Sequence, residues 1–240
     1  MNWDGIVSLL IASIEALLIL NLIVFVDKNK INYLIIILVS LLASYQFMEF
    51  LICNQEMINP LNTYLAFLII TLIPTVNFFL INRITNYNEK KNFRFLELFF
   101  TISALFFIVF YGLNYNLFEV KKCTFFYATY NYPLGFLYGV YYYLPILISF
   151  VMILNKRKKS NDQSLKSKLK ILLFGYFFII TPPLFGFFLR LFDLKEISIS
   201  MESILCKFAF FYAIAISFYS IYNSKFKDER NYFKYLSGYK

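Results

Sequence analysis

Residues 6–26 read IVSLLIASIEALLILNLIVFV, an unbroken apolar run holding one charged side chain, Glu15. As an α-helix rising about 1.5 Å per residue it reaches roughly 30 Å, the thickness of a bilayer's hydrocarbon core. Asn2 and Asp4 precede the run, and Lys28 and Lys30 follow it. A secretory signal carries its basic residues ahead of the apolar stretch, so this order predicts an uncleaved first helix. Six further runs of the same kind lie at 31–53, 61–81, 96–113, 134–154, 171–191 and 199–222. All are continuously apolar, whereas the strands of a membrane barrel alternate over about ten residues. The expected fold class is therefore all-α: an integral membrane seven-helix bundle over residues 1–223, followed by a short basic cytoplasmic tail, 224–240.

Composition agrees with that reading. Of 240 residues, 60% are hydrophobic and 15% charged, against about 45–50% and 25% in soluble domains. The net charge of +9 is spread through the segments between apolar runs. A nucleic-acid patch needs a soluble basic face, so nucleic acid is not an expected partner. With the N-terminus outside, Lys121, Lys122, Arg190, Lys195 and Lys207 are the only five of the 23 basic residues that miss the cytoplasmic side, leaving 18 upon it. This asymmetry follows the positive-inside rule. It predicts a multi-pass protein of the cell (cytoplasmic) membrane with its C-terminus inside.

The chain has no histidine and three cysteines without CxxC spacing. Absence of histidine removes the usual general base and the Ser-His and Cys-His nucleophile pairs. The cysteine spacing offers neither a zinc site nor a redox motif. The chain is read as non-enzymatic, with no cofactor, no metal and no catalytic residue.

Ionisable groups inside membrane helices are costly and face the bundle interior, so they mark candidate sites. Glu15, Glu49, Glu202 and Lys207 qualify, with Asn21, Gln46 and Asn77 adding uncharged polarity. Glu15 and Lys207 fall roughly 14 and 12 Å below the outer ends of their helices. First and last helices are neighbours in a sequentially wound ring, so an ion pair between these two is expected. The alternative is Lys207 snorkelling to the interface alone. Gln46, Glu49 and Cys53 stand at i, i+3 and i+7 and share one face. Glu49 is read as a buried carboxylate bonded to a neighbouring helix, with an outward-opening polar pocket as the alternative. Together Glu15, Gln46, Glu49 and Lys207 form the candidate polar or ligand site. Cys53 and Cys123 lie on the outer side, where disulfides persist. A bridge between them and three unrelated structural cysteines are both open, the second being the simpler reading. Pro74, Pro145, Pro182 and Pro183 interrupt helical hydrogen bonding and are candidate hinges.

Several stretches then resemble a known family. They are YQFMEFLI (45–52), IPTVNFFLINRIT (73–85), YPLGFLYGVYYYLPIL (132–147), LKSKLKILLFGYFFIITPPLFGFFL (165–189) and FAFFYAIAISFYSIYNSKFKDE (208–229). Their proline, glycine and hydropathy pattern is similar to the N-terminal seven-transmembrane region of bacterial membrane histidine kinases. The family's tryptophan near the second and third helices is missing, as are a kinase domain and a histidine to phosphorylate. The resemblance therefore implies an input module only, a sensor or signal-transducing unit. Its expected partners are the bilayer and a separate signalling protein at the cytoplasmic side, with a homodimer as a further option. A small-solute or ion transporter and an accessory membrane subunit are the competing readings. A retinal protein is disfavoured, because no aspartate in the third helix would serve as counter-ion to Lys207.

Overall fold

The computed structural model describes residues 3–55, 57–87, 91–192 and 204–224. Seven helices in the described residues are long and apolar enough to cross a membrane. They are α1 (Ile6–Phe25), α2 (Lys30–Asn54), α3 (Pro60–Thr85), α4 (Lys91–Leu113), α5 (Gly135–Lys159), α6 (Gln163–Leu191) and α7 (Ile204–Ser224). The expected tail beyond Ser224, Glu202 and the first residues of the seventh apolar run lie outside the described residues. The apolar runs at 96–113 and 171–191 understate their helices, which begin at Lys91 and Gln163. Hydrophobicity records the thickness of the hydrocarbon, whereas a helix continues into the polar zone until a capping residue stops it.

Asparagine does much of that stopping. The Asn29 side chain accepts from the backbone N–H of Ile31 and Asn32 to open α2. Asn59 accepts from Asn62 N–H to open α3, with Pro60 in the first-turn position where its missing donor costs nothing. Asn86, at φ 58°, closes α3 in the left-handed conformation that asparagine tolerates better than most residues.

α3 is the axle of the bundle, packing against α2, α4 and α5. α1 packs on α2, and α5 on α6. Along α1, residues Leu10, Leu17, Leu20, Val24 and Phe25 are exposed, as are Phe95, Leu98, Ile102, Leu105 and Val109 along α4. Such faces are untenable in water and ordinary in lipid, which gives the chain the surface of a multi-pass membrane protein. All four predicted hinge prolines lie inside helices: Pro74 in α3, Pro145 in α5, and Pro182 with Pro183 in α6. Neighbours meet the polar groups beside them. The Tyr141 hydroxyl of α5 donates to the carbonyl of Thr71, three residues before Pro74.

Between α4 and α5 the chain makes a 3-10 turn (Tyr115–Leu117) and an antiparallel hairpin, β1 (Glu119–Cys123) with β2 (Ala128–Asn131). A lone two-stranded hairpin is marginal by itself. This one is fastened at three points. Cys53 at the end of α2 is disulfide-bonded to Cys123 in β1, so the reading of three unrelated cysteines is corrected. Gly5 N–H donates to the Thr124 carbonyl at the hairpin turn. Phe118 and Tyr130 seat their rings on Phe67 of α3. Cys206 remains a free thiol.

Alkylation of the detergent-denatured, non-reduced chain should therefore label one cysteine, Cys206, and peptide mapping should find Cys53 joined to Cys123. Cys53→Ser should lower stability by about 2–4 kcal/mol. Three alkylatable thiols in protein taken directly from membranes would contradict the staple.

Candidate functional site

Near the hairpin end of the bundle, one ammonium gathers three helices. Lys207 Nζ donates to Ser8 Oγ of α1 at 2.7 Å, to Gln46 Oε1 of α2 at 2.6 Å and to Glu49 Oε1 of α2 at 2.8 Å. The Lys207–Glu49 contact is an ion pair whose side chains are 10% and 1% exposed. Ser8 Oγ also donates to Glu49 Oε1 at 3.2 Å, and Gln46 Nε2 donates to the Cys206 carbonyl at 2.7 Å. All three protons of the ammonium have acceptors, and the carboxylate is answered from two helices. A buried charge is tolerable only under those conditions.

The expected pairing of Lys207 with Glu15 is thereby corrected. Side chains on a helix tilt toward its N-terminus. The N-terminus of α7 is at the hairpin end, and lysine reaches toward the membrane edge. The ammonium therefore sits shallower than its Cα, at the level of Ser8 and Glu49. Glu15 lies two turns below Ser8 on the same face of α1, about 10 Å deeper. It is fully buried, and neither carboxyl oxygen has a hydrogen-bond partner. Of the four predicted residues, the structure brings Gln46, Glu49 and Lys207 together and leaves Glu15 beneath them.

Alongside this cluster is a cavity of about 620 Å³, within the ~300–1,000 Å³ of small-molecule sites. Its walls are tyrosine-rich: Tyr45, Tyr130, Tyr132, Tyr138, Tyr142 and Tyr143 all line it. Tyr45 and Cys206, the chain neighbours of Gln46 and Lys207, form the wall toward the ion cluster, and Pro183 of α6 also lines the cavity. Burial, reinforced by the nearby Glu49 carboxylate, holds the Tyr130 hydroxyl well above its ordinary pKa. The hairpin therefore presents a neutral hydroxyl there at physiological pH. The stretch 132–147 stands out in the sequence, without the inference that it encloses space. The available signal was Gly135 and Gly139, one helical turn apart, among bulky rings.

A second polar node ties the middle of the bundle. Asn77 Nδ2 of α3 donates to Tyr176 Oη of α6 at 2.8 Å, and Tyr212 Oη of α7 donates to Asn77 Oδ1. At the far end Ser220 Oγ of α7 donates to Asn32 Oδ1 of α2 at 2.7 Å. Lys168 Nζ of α6 donates to Asn223 Oδ1 of α7 at 2.8 Å. α7 is thus held by polar contacts at three depths. Among the described residues, no cluster of histidine, cysteine, aspartate or glutamate could hold a metal ion.

Comparison with protein-family models, with curated proteins and with solved structures finds no match.

Two substitutions separate the roles of these groups. Asn77→Leu removes the amide that both the Tyr176 and Tyr212 hydroxyls bond and should cost about 1–3 kcal/mol in a detergent unfolding titration. Glu15→Gln removes no hydrogen bond and swaps one buried, unpartnered polar group for a neutral isostere, so it should not lower stability. A large loss for Glu15→Gln, with none for Asn77→Leu, would overturn this assignment.

Proposed function

We propose that the chain is a non-enzymatic sensor or signal-transducing input module, similar in plan to the seven-helix region of membrane histidine kinases. It is placed in the cell membrane with the hairpin end outside. The 18-to-5 division of basic residues favours this orientation. So does the disulfide, since Cys53–Cys123 persists in an oxidising compartment and not in a reducing cytosol. The tail after α7 then emerges in the cytoplasm, where a separate signalling protein would read it.

The observation that carries the reading is adjacency. Tyr45 and Cys206 line the cavity, while the very next residues, Gln46 and Lys207, hold the lock between α2 and α7. An occupant that fits one arrangement of this wall better than another biases the position of α7, which is all a ligand needs in order to shift a conformational equilibrium. The prolines of α3, α5 and α6 are the proposed points of bending. Transport is the second reading, favoured by one feature: the buried, unpartnered Glu15 beneath the cluster, where a proton or cation path would need a stop.

Affinity purification from native membranes should recover a cytoplasmic kinase, cyclase or response regulator, and Lys207→Met should change its retention at least several-fold. Proteoliposomes holding the wild-type chain should pass protons and monovalent cations no faster than empty vesicles. Flux that disappears in Glu15→Gln would replace the sensor reading with transport.

A further inference from the structure

The wall of the cavity on α5 has an unusual property: it is open on the lipid side. Gly135, Phe136, Gly139, Val140, Leu144 and Leu147 all line it. Of these, Phe136 is 83% exposed, and Val140, Leu144 and Leu147 are exposed as well. Phe136, Val140, Leu144 and Leu147 recur at i, i+4, i+8 and i+11, one stripe of the helix. From Gly135 to Leu147 the stripe runs about 18 Å, close to the roughly 15 Å depth of one leaflet's acyl region. The space therefore lies alongside lipid tails, parallel to them and continuous with them.

Volume and charge narrow the occupant. About 620 Å³ holds on the order of 20 heavy atoms at ~30 Å³ each. That suits one acyl chain with its head at the mouth, and a two-chain phospholipid could place only one of its chains there. Among the described residues that line the cavity, Lys121 of β1 carries the one charge, and it is exposed on the hairpin beside the mouth. Asn131, exposed at the end of β2, adds an amide to the lining. Gly139 leaves the passage clear: a Cβ there would meet nothing within 4 Å.

We propose that the cavity binds a single-chain anionic amphiphile, which enters sideways from the hairpin-end leaflet with its chain along α5 and its head at Lys121. A free fatty acid and a lysophospholipid share this chemistry. The proposal rests on the cavity as the input site of the sensor reading, and it names the ligand class.

The test uses the full chain in zwitterionic nanodiscs with chain-photoactivatable palmitate, lysophosphatidylglycerol and monoacylglycerol as the neutral control. Saturable cross-links should map to 135–147 of α5 and to Leu205–Cys206, and unlabelled palmitate should compete them away in the wild type. Whichever of the two anionic probes labels at lower concentration identifies the source. Gly139→Leu projects into open space on a helix that glycine weakens, so it should keep the wild-type melting midpoint and cut labelling at least tenfold. Lys121→Glu should weaken both anionic probes several-fold and leave the neutral one unchanged. Labelling spread along the lipid face of α4, without competition, would overturn the proposal. So would a neutral probe that binds as well as the anionic ones. Saturable palmitate labelling with no effect on partner retention would contradict the sensor reading and leave this inference standing. Partner retention that depends on Lys207, with no saturable labelling, would do the reverse.

Discussion

A lysine ammonium cannot be left unanswered in a medium with almost no water, and the arrangement of α1, α2 and α7 follows from how Lys207 is answered. Its three donors meet a hydroxyl on α1 and an amide and a carboxylate on α2. Those partners fix both the depth and the rotation of α7. They also fix the Cys206 carbonyl through Gln46, and with it one wall of the aromatic cavity. Structural constraint and candidate site are thus the same few residues.

Polar contacts carry this weight because packing alone specifies little in lipid. Tails are as apolar as leucine, so helices gain little by merely hiding hydrophobic surface from them. Close fit supplies part of the answer, as where Gly175 of α6 lies against Ala215 and Tyr212 of α7. A Cβ at Gly175 would come within 2.7 Å of the Ala215 Cβ, nearer than two such atoms approach. Hydrogen bonds supply the rest, at the hairpin end, around Asn77 and at the opposite end. A displacement of α7 must break or exchange one of these contacts, which gives the helix discrete positions to occupy.

The sequence made the seven spans legible, because a run of side chains as long as the bilayer is thick is its own signal. The grouping of Gln46, Glu49 and Cys53 on one face was equally plain from their spacing, and all three are buried. The partner of Lys207 was not, because residue spacing gives the depth of a Cα while the charge sits at the end of a long side chain leaning toward the membrane edge. Ser8 gave no warning: a serine near a helix start is ordinary until a charge is known to face it. The hairpin was hidden too, since EVKKC and ATYN are short and mostly polar. Their pairing is supported by a disulfide and by rings from distant helices, which local pattern does not encode. The cavity is a property of what six separate segments fail to fill, and no single segment announces it.

The most direct test is a double-mutant cycle on Glu49→Gln and Lys207→Met, read by unfolding titration in mixed micelles. Each single change leaves a buried partner uncompensated and should cost about 3–5 kcal/mol. The double variant should cost well below the sum, giving a coupling of at least about 2 kcal/mol. The same cycle on Glu15 and Lys207 should give a coupling much smaller than that. Additive costs for Glu49 and Lys207, or a larger coupling through Glu15, would contradict the account.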